Sequence, residues 1–286
     1  MDNTLWWAVE MELLDTFLAK YFGFFSFWGV LLALICAELM VPALVNLANR
    51  KKRWSTNFAI GAFQFATGTL LPISAISVAL WCETHNIGLM NYFSFAPAPQ
   101  AVFTILINSF GFYLIHYLSH NVFWLWRLHS LHHSDHFVDA TTSLRAHPLE
   151  QILNLAYSVL LTVVFGYSAG VLVFYYAVEA VIVIYSHSHI KLPQPVDRAL
   201  SKIFVTPTIH HIHHSSHMPE TNSNYGNAFT IWDRLFGTFR PTTIRGGAVE
   251  RYGLEDTDLE LSTNLEAQLM RPFVMRPQRR PQRDAQ

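Results

Sequence analysis

Fourteen of the chain's fifteen histidines fall between His116 and His217, and most of them repeat two helical spacings. His116 and His120, in HYLSH, stand four apart, so on a helix their side chains lie one above the other on one face. His129, His132 and His133, in HSLHH, sit at i, i+3 and i+4, and His210, His213 and His214, in HHIHH, repeat that pattern. Each run can point two or three imidazoles at one centre. A lone histidine is ordinarily a satisfied core or surface residue, but imidazoles crowded together without a metal repel as they protonate near pH ~6.5. The three runs supply eight nitrogen donors, whereas a tetrahedral zinc takes four. The donor count favours two metals.

The rest of the 286-residue chain places that site in a membrane protein. Hydrophobic residues make up 51% of it and charged residues 14%, against about 25% charged in an average soluble domain. The expected fold is all-α: an integral membrane helical bundle of about three to five segments, with a cytosolic, histidine-rich helical cap holding a di-metal site. The net charge of −1, with basic residues that form no stripe, argues against a nucleic-acid partner. Cys36 and Cys82 both lie in apolar stretches, so neither a disulfide framework nor a thiolate metal site is expected. The stretch MDNTLWWAVEMELLD is acidic where a signal peptide is basic, and no cleavable signal is expected.

The chain divides into membrane helices with a connecting loop over residues 1–100, a catalytic domain over 101–240 and a polar, disordered tail over 241–286. The first apolar stretch, residues 21–48, is long enough to span a hydrocarbon core, with a possible break at Pro42. Glu38 within it should face other helices or an interface, because a carboxylate facing lipid costs about 2.5–3.5 kcal/mol. The run NRKKR at 49–53 marks the cytoplasmic side by the positive-inside rule. A second span over residues 58–81 crosses away, and a third, from Ala101, returns with His116 and His120 at its end. On that topology His85 lies across the membrane from the cluster. A hairpin at about 151–186 then leaves and comes back, delivering His187 and His189 to the cluster's side.

Imidazole suits zinc, copper, iron and nickel alike. There is no HExxH zinc-protease helix and no Glu-x-x-His pair. An all-histidine, two-metal site at the end of a membrane bundle suits oxidative attack on a lipid, with iron activating dioxygen. A metal transporter would need an ionisable pathway inside the spans, and a zinc-dependent lipid hydrolase would need fewer ligands and a general base.

Together, HYLSH, HSLHH, HHIHH, SLRAHPLE, HSHIKLP, the VTP before His210 and the closing NYGNAFTIWDRLFGTF resemble the fatty acid hydroxylase superfamily, also called the sterol desaturase family, over residues 112–239. The resemblance implies a membrane-bound non-haem di-iron oxygenase. It would hydroxylate or desaturate a lipid (fatty acyl, sterol or related alkyl substrate) with two iron ions, O2 and an external electron donor: a cytochrome, ferredoxin or reductase. It also implies His116, His120, His129, His132, His133, His210, His213 and His214 as iron ligands, His187 as a ninth, and His147 as a ligand or a support to one. His136, His211 and His217 have no motif role. Three positions depart from the family pattern: Tyr117 where Arg is frequent, His189 where Asn is frequent and Asn222 where Asp is usual. Asp233 and Glu179 are the candidate carboxylates to replace the last.

Overall fold

The computed structural model describes residues 27–40 and 47–275. The described chain folds into helices α1 (Phe27–Leu39), α2 (Leu47–Leu70), α3 (Ala75–His85), α4 (Leu89–Tyr92), α5 (Pro97–Asn121) and α6 (Phe123–His133). After a 3-10 helix (Ala140–Leu144) come α7 (Pro148–Phe165), α8 (Ala169–His187), α9 (Gln194–Leu200) and α10 (Pro207–His213). The last are α11 (Met218–Thr221), α12 (Ile231–Leu235), α13 (Leu259–Ser262) and α14 (Leu265–Val274). Extended pairing among the described residues is limited to single bridges, Phe204 with Phe229 and Ser215 with Tyr252. The fold is helical, as the histidine spacing requires. The proposed break at Pro42 lies outside the described residues.

Among the described residues four stretches are long and apolar enough to cross a membrane: Arg50–Tyr92, Pro97–Asn121, Pro148–Phe165 and Ala169–His187. Their outer faces carry exposed Phe63, Phe65, Leu106, Leu160 and Phe174, more apolar surface than a soluble monomer leaves to water. The chain is an integral membrane protein. The expected span over residues 58–81 is interrupted: α2 stops at Leu70 and α3 starts at Ala75, capped by Ser74. Pro72 lies in the gap, where its missing N–H ends a helical ladder. The hairpin helices α7 and α8 have 18 and 19 residues and so rise about 27–29 Å at 1.5 Å per residue, close to a hydrocarbon core. They turn at Gly166, which caps α7 with φ +71°, and a Cβ there would meet the Asn91 amide at 2.7 Å and the Ile87 carbonyl at 2.8 Å.

Among the described residues two apolar cores hold the bundle. Leu31 and Ile35 of α1 pack with Ala140 and Leu144 of the 3-10 helix and Ile184 of α8, and Ala79, Met90, Tyr167, Ala169 and Leu172 form the other. Beneath the histidines lies a buried polar network. Arg53 pairs with Asp135 at 3.0 Å and with Asp139, and Arg145, fully buried, donates to Asn57, Ser134 and Gln268 at 2.8, 2.6 and 3.1 Å. Burial raises the Asp135 carboxyl, but the charges of Arg53 and Arg145 outweigh it and hold the group below its usual range. Gln268 belongs to α14, which packs on α6 and α2. This corrects the expectation of a disordered tail from residue 241: up to Met275 the segment is folded. Asp258 and Asn264 cap its helices, and Gln268 and Arg271 are buried and hydrogen-bonded.

Candidate metal centre

The histidine runs converge as two groups whose ligand atoms lie within 4.8 Å of one another: His116, His120, His129, His133 and His213, and His132, His187, His210 and His214. Helical angles explain the division. Residues four apart are about 40° apart around the axis, whereas the residue three along lies about 60° the other way. HSLHH therefore gives the pair His129 and His133 to the first group and His132 to the second, and HHIHH gives His210 and His214 to the second and His213 to the first. Pro148 and Pro207 start α7 and α10 in the helical φ range, fixing where those helices enter the site.

Ring orientation is set from outside. The Nδ1 atoms of His116, His213, His132 and His187 lie 2.7, 2.7, 3.1 and 2.7 Å from the carbonyls of Tyr225, Ser223, Arg145 and Val183. Carbonyls only accept, so each Nδ1 carries the proton and each Nε2 presents a lone pair. These lone pairs face one another: His132 and His187 are 3.2 Å apart at Nε2, His187 and His210 2.9 Å, and His210 and His214 3.1 Å. His132 and His187 have no proton to place between them. Both nitrogens of His120 and of His133 and the Nε2 of His213 are buried without a hydrogen-bond partner. Each such orphan costs about 1–3 kcal/mol unless something occupies it.

Protonation is a poor remedy. Burial, with neighbouring imidazoles, pushes His132, His133, His210 and His214 well below the ordinary histidine value, and burial takes His213 down to about 3. A bound cation would give these nitrogens the partner they lack. With Nε2 atoms 2.9–3.2 Å apart, His132, His187, His210 and His214 would be placed to hold one cation among them.

Residues 101–238 match the family model described as Fatty acid hydroxylase. Over those residues the chain is similar to the fatty acid hydroxylase family. Ornithine lipid hydroxylase OlsE of Rhizobium tropici is 32% identical over 178 residues, covering 61% of this chain and 51% of that protein. Alkylglycerol monooxygenase of Caenorhabditis elegans is 30% identical over 48% of this chain and 26% of its own length, and human cholesterol 25-hydroxylase is 26% identical over 50% and 52%. The chain thus spans about half the length of the bacterial relative and about a quarter of the nematode one. No solved structure matches it.

The remaining sequence candidates separate. His147 stands outside both groups: its Nδ1 accepts the Leu149 N–H at 3.1 Å, capping α7, and its Nε2 meets the Leu269 carbonyl. His189 packs its ring on Phe137 and His211 rather than joining a group, and His211 binds the Tyr252 hydroxyl and the His187 carbonyl. His136 reaches Thr257. His85 lies at the far end of α3, against the Trp81 carbonyl. Tyr117 packs beside Tyr113 and Tyr225. Asn222 approaches His120, although neither His120 nitrogen completes a hydrogen bond.

Neither Asp233 nor Glu179 touches a clustered ring. Asp233 accepts the N–H groups of Tyr225 and Gly226 at 2.7 and 2.8 Å, holding the loop whose Tyr225 carbonyl orients His116. Gly226 is needed there, since a Cβ would come within 2.9 Å of the Asp233 carboxylate. Glu179 pairs with the Tyr175 hydroxyl. The carboxylate that does reach a ring was missed: Glu150 Oε1 is 2.6 Å from His129 Nδ1. It ends the SLRAHPLE stretch, three residues past His147, and a carboxylate within an element already tied to the site was the available signal.

Proposed function

We propose that the protein is a membrane-bound, non-haem di-iron oxygenase that hydroxylates a lipid C–H bond. The carrying observation is the pair of histidine groups whose Nε2 atoms converge while the Nδ1 atoms of His116, His129, His132, His187 and His213 are fixed by carbonyls and Glu150. The orphaned nitrogens of His120, His133 and His213 fit bound metal, with His116, His120, His129, His133 and His213 holding one ion and His132, His187, His210 and His214 the other. When bound, the irons supply dioxygen activation and removal of hydrogen from carbon.

The stoichiometry is R–H + O2 + 2 electrons + 2 protons giving R–OH + H2O, with a separate cytochrome, ferredoxin or reductase as electron source. The chain's own residues hold and orient the ligands. Glu150 fixes the His129 ring and puts a negative charge beside an otherwise neutral ligand set. Asp233 and the carbonyls of Ser223 and Tyr225 keep the 223–226 loop against α5 and α10.

The active site faces the cytoplasm in this reading. Arg53 belongs to the basic run 49–53 and pairs with Asp135 and Asp139, next to His132 and His133 in the chain. Exposed Lys51 and Lys52 therefore lie at the metal-site end of α2, where the positive-inside rule assigns the cytoplasm.

The test is metal analysis with Mössbauer spectroscopy on protein purified anaerobically from iron-replete cells in mild detergent. About two coupled irons per chain are expected. One tightly held zinc without iron uptake would end the oxygenase reading.

A further inference from the structure

A cavity of about 190 Å³ opens against both histidine groups, lined by His116 and His129 of the first and His132, His187 and His210 of the second. Its other walls carry several polar side chains. Gln64 of α2, Glu150 and Asn154 of α7, and Asn227 all line it, with Phe112, Ile115 and Val183 as the main hydrocarbon. Glu150 and Asn154 stand four apart on α7 and so share one face. Glu150 spends Oε1 on His129, while its Oε2 is buried with no hydrogen-bond partner.

Size and polarity together select which part of a lipid enters. The cavity is small, about 190 Å³ with the histidines among its walls, and suits the end of a lipid better than a length of its chain. A methyl end would seal Asn154 and the Glu150 oxygen against hydrocarbon, stripping water from polar groups and returning nothing. A head that donates a hydrogen bond gives Oε2 the partner it lacks, and Phe112, Ile115 and Val183 can cover the first methylenes behind it.

We propose, building on the oxygenase reading, that the site takes its lipid head first, with a hydroxyl or other hydrogen-bond donor of the head bound to Glu150 Oε2 beside Asn154. The carbon hydroxylated then lies within a few bonds of that polar group, and specificity resides in the head rather than in chain length. Glu150 accordingly both positions His129 and binds substrate, while Asn154 belongs to substrate recognition alone.

Binding and oxidation are tested separately, on the full-length, iron-loaded protein in lipid nanodiscs. Three photoprobes with an eighteen-carbon chain carry a diazirine at its fourth carbon: octadecanol, its methyl ether, which accepts but cannot donate, and octadecane. Octadecanol is expected to label peptides covering residues 112–119 and 146–154 at least tenfold more than either partner. Glu150→Gln and Asn154→Leu should each cut that labelling at least tenfold. Equal labelling by the three probes in the wild-type protein, which needs no variant to fold, overturns the proposal, as does labelling that neither substitution changes in variants that still load iron. With a reductase and dioxygen, unmodified octadecanol should be oxygenated within about four carbons of its hydroxyl. Oxygenation at mid-chain or at the methyl end overturns head-first entry but leaves the oxygenase reading intact. Selective labelling by octadecanol with no oxygenated product from any of the three unmodified lipids supports head-first binding and counts against the oxygenase reading.

Discussion

The two histidine groups use one kind of side chain and are held in different ways. In the first, three rings are braced from other parts of the chain: His116 by Tyr225, His213 by Ser223 and His129 by the Glu150 carboxylate. In the second, His187 is braced by Val183 of its own helix and His132 by the Arg145 carbonyl, and the Nδ1 of His210 is buried without a partner. A carboxylate behind a ligating imidazole raises its basicity and fixes its angle more firmly than a carbonyl does. Five rings and a negative charge should therefore hold their metal more tightly than four rings and none. The site is two unequal positions, not a symmetric pair.

Single-ligand deletions test that division most severely. His213→Ala and His132→Ala should each lower activity by more than about a hundredfold, and each should leave about one iron instead of about two. His85→Ala should change neither quantity. Retention of two irons in both cluster variants would show that the grouping is wrong. Glu150→Gln keeps the size of the side chain and removes its charge, so the effect should be smaller and confined. Loss of a carboxylate behind a ligand typically costs about 10–100-fold in metal affinity. In an anaerobic ferrous titration that loss should fall on the tighter of two binding phases, and equal weakening of both phases would refute the asymmetry.

Acid should act on both groups. In the metal-free protein, His132, His133, His210 and His214 stay neutral well below the ordinary histidine pKa of 6.5, and His213 does so down to about 3. Between those limits the unfolded chain binds more protons than the folded one, so stability is present in full above pH ~6.5 and falls as pH drops below it. Thermal melts of metal-free protein should shift down by more than about 5 °C from pH 7 to pH 5. Bound metal should reduce the loss at pH 7 to 6, where it competes successfully with protons. A flat profile would mean that the rings are already protonated or hydrated.

The sequence made the helices and the convergence of three histidine runs legible, because a repeat of three and four residues has one common structural cause. It did not show which ring belongs to which group, since that depends on how α6 and α10 are rotated against α5 and α8. The polar network was hidden for a related reason: Arg53 meets Asp135 and Asp139 across 82 and 86 residues, and nothing local marks such pairs. In SLRAHPLE the local signals were present and divided between two residues. Pro148 at the start of α7 makes His147 the capping residue and places Glu150 in the first turn, turned toward His129. The folded segment beyond residue 241 had signals too, in the capping Asp258 and Asn264, which its high polarity outweighed.

His147 supplies the smallest and sharpest test of that boundary between ligand and support. With Nδ1 accepting the Leu149 N–H and Nε2 against the Leu269 carbonyl, both nitrogens are occupied away from either group. His147→Ala should therefore cost only the cap, about 1 kcal/mol, and lower the melting temperature by about 2–4 °C. His147→Asn, which restores a good N-cap, should recover most of that loss. Iron content should stay at about two in both variants, because neither group loses a donor. Loss of one iron in the alanine variant, unrepaired by asparagine, would place His147 among the ligands and require α7 to unwind at its first turn when metal binds.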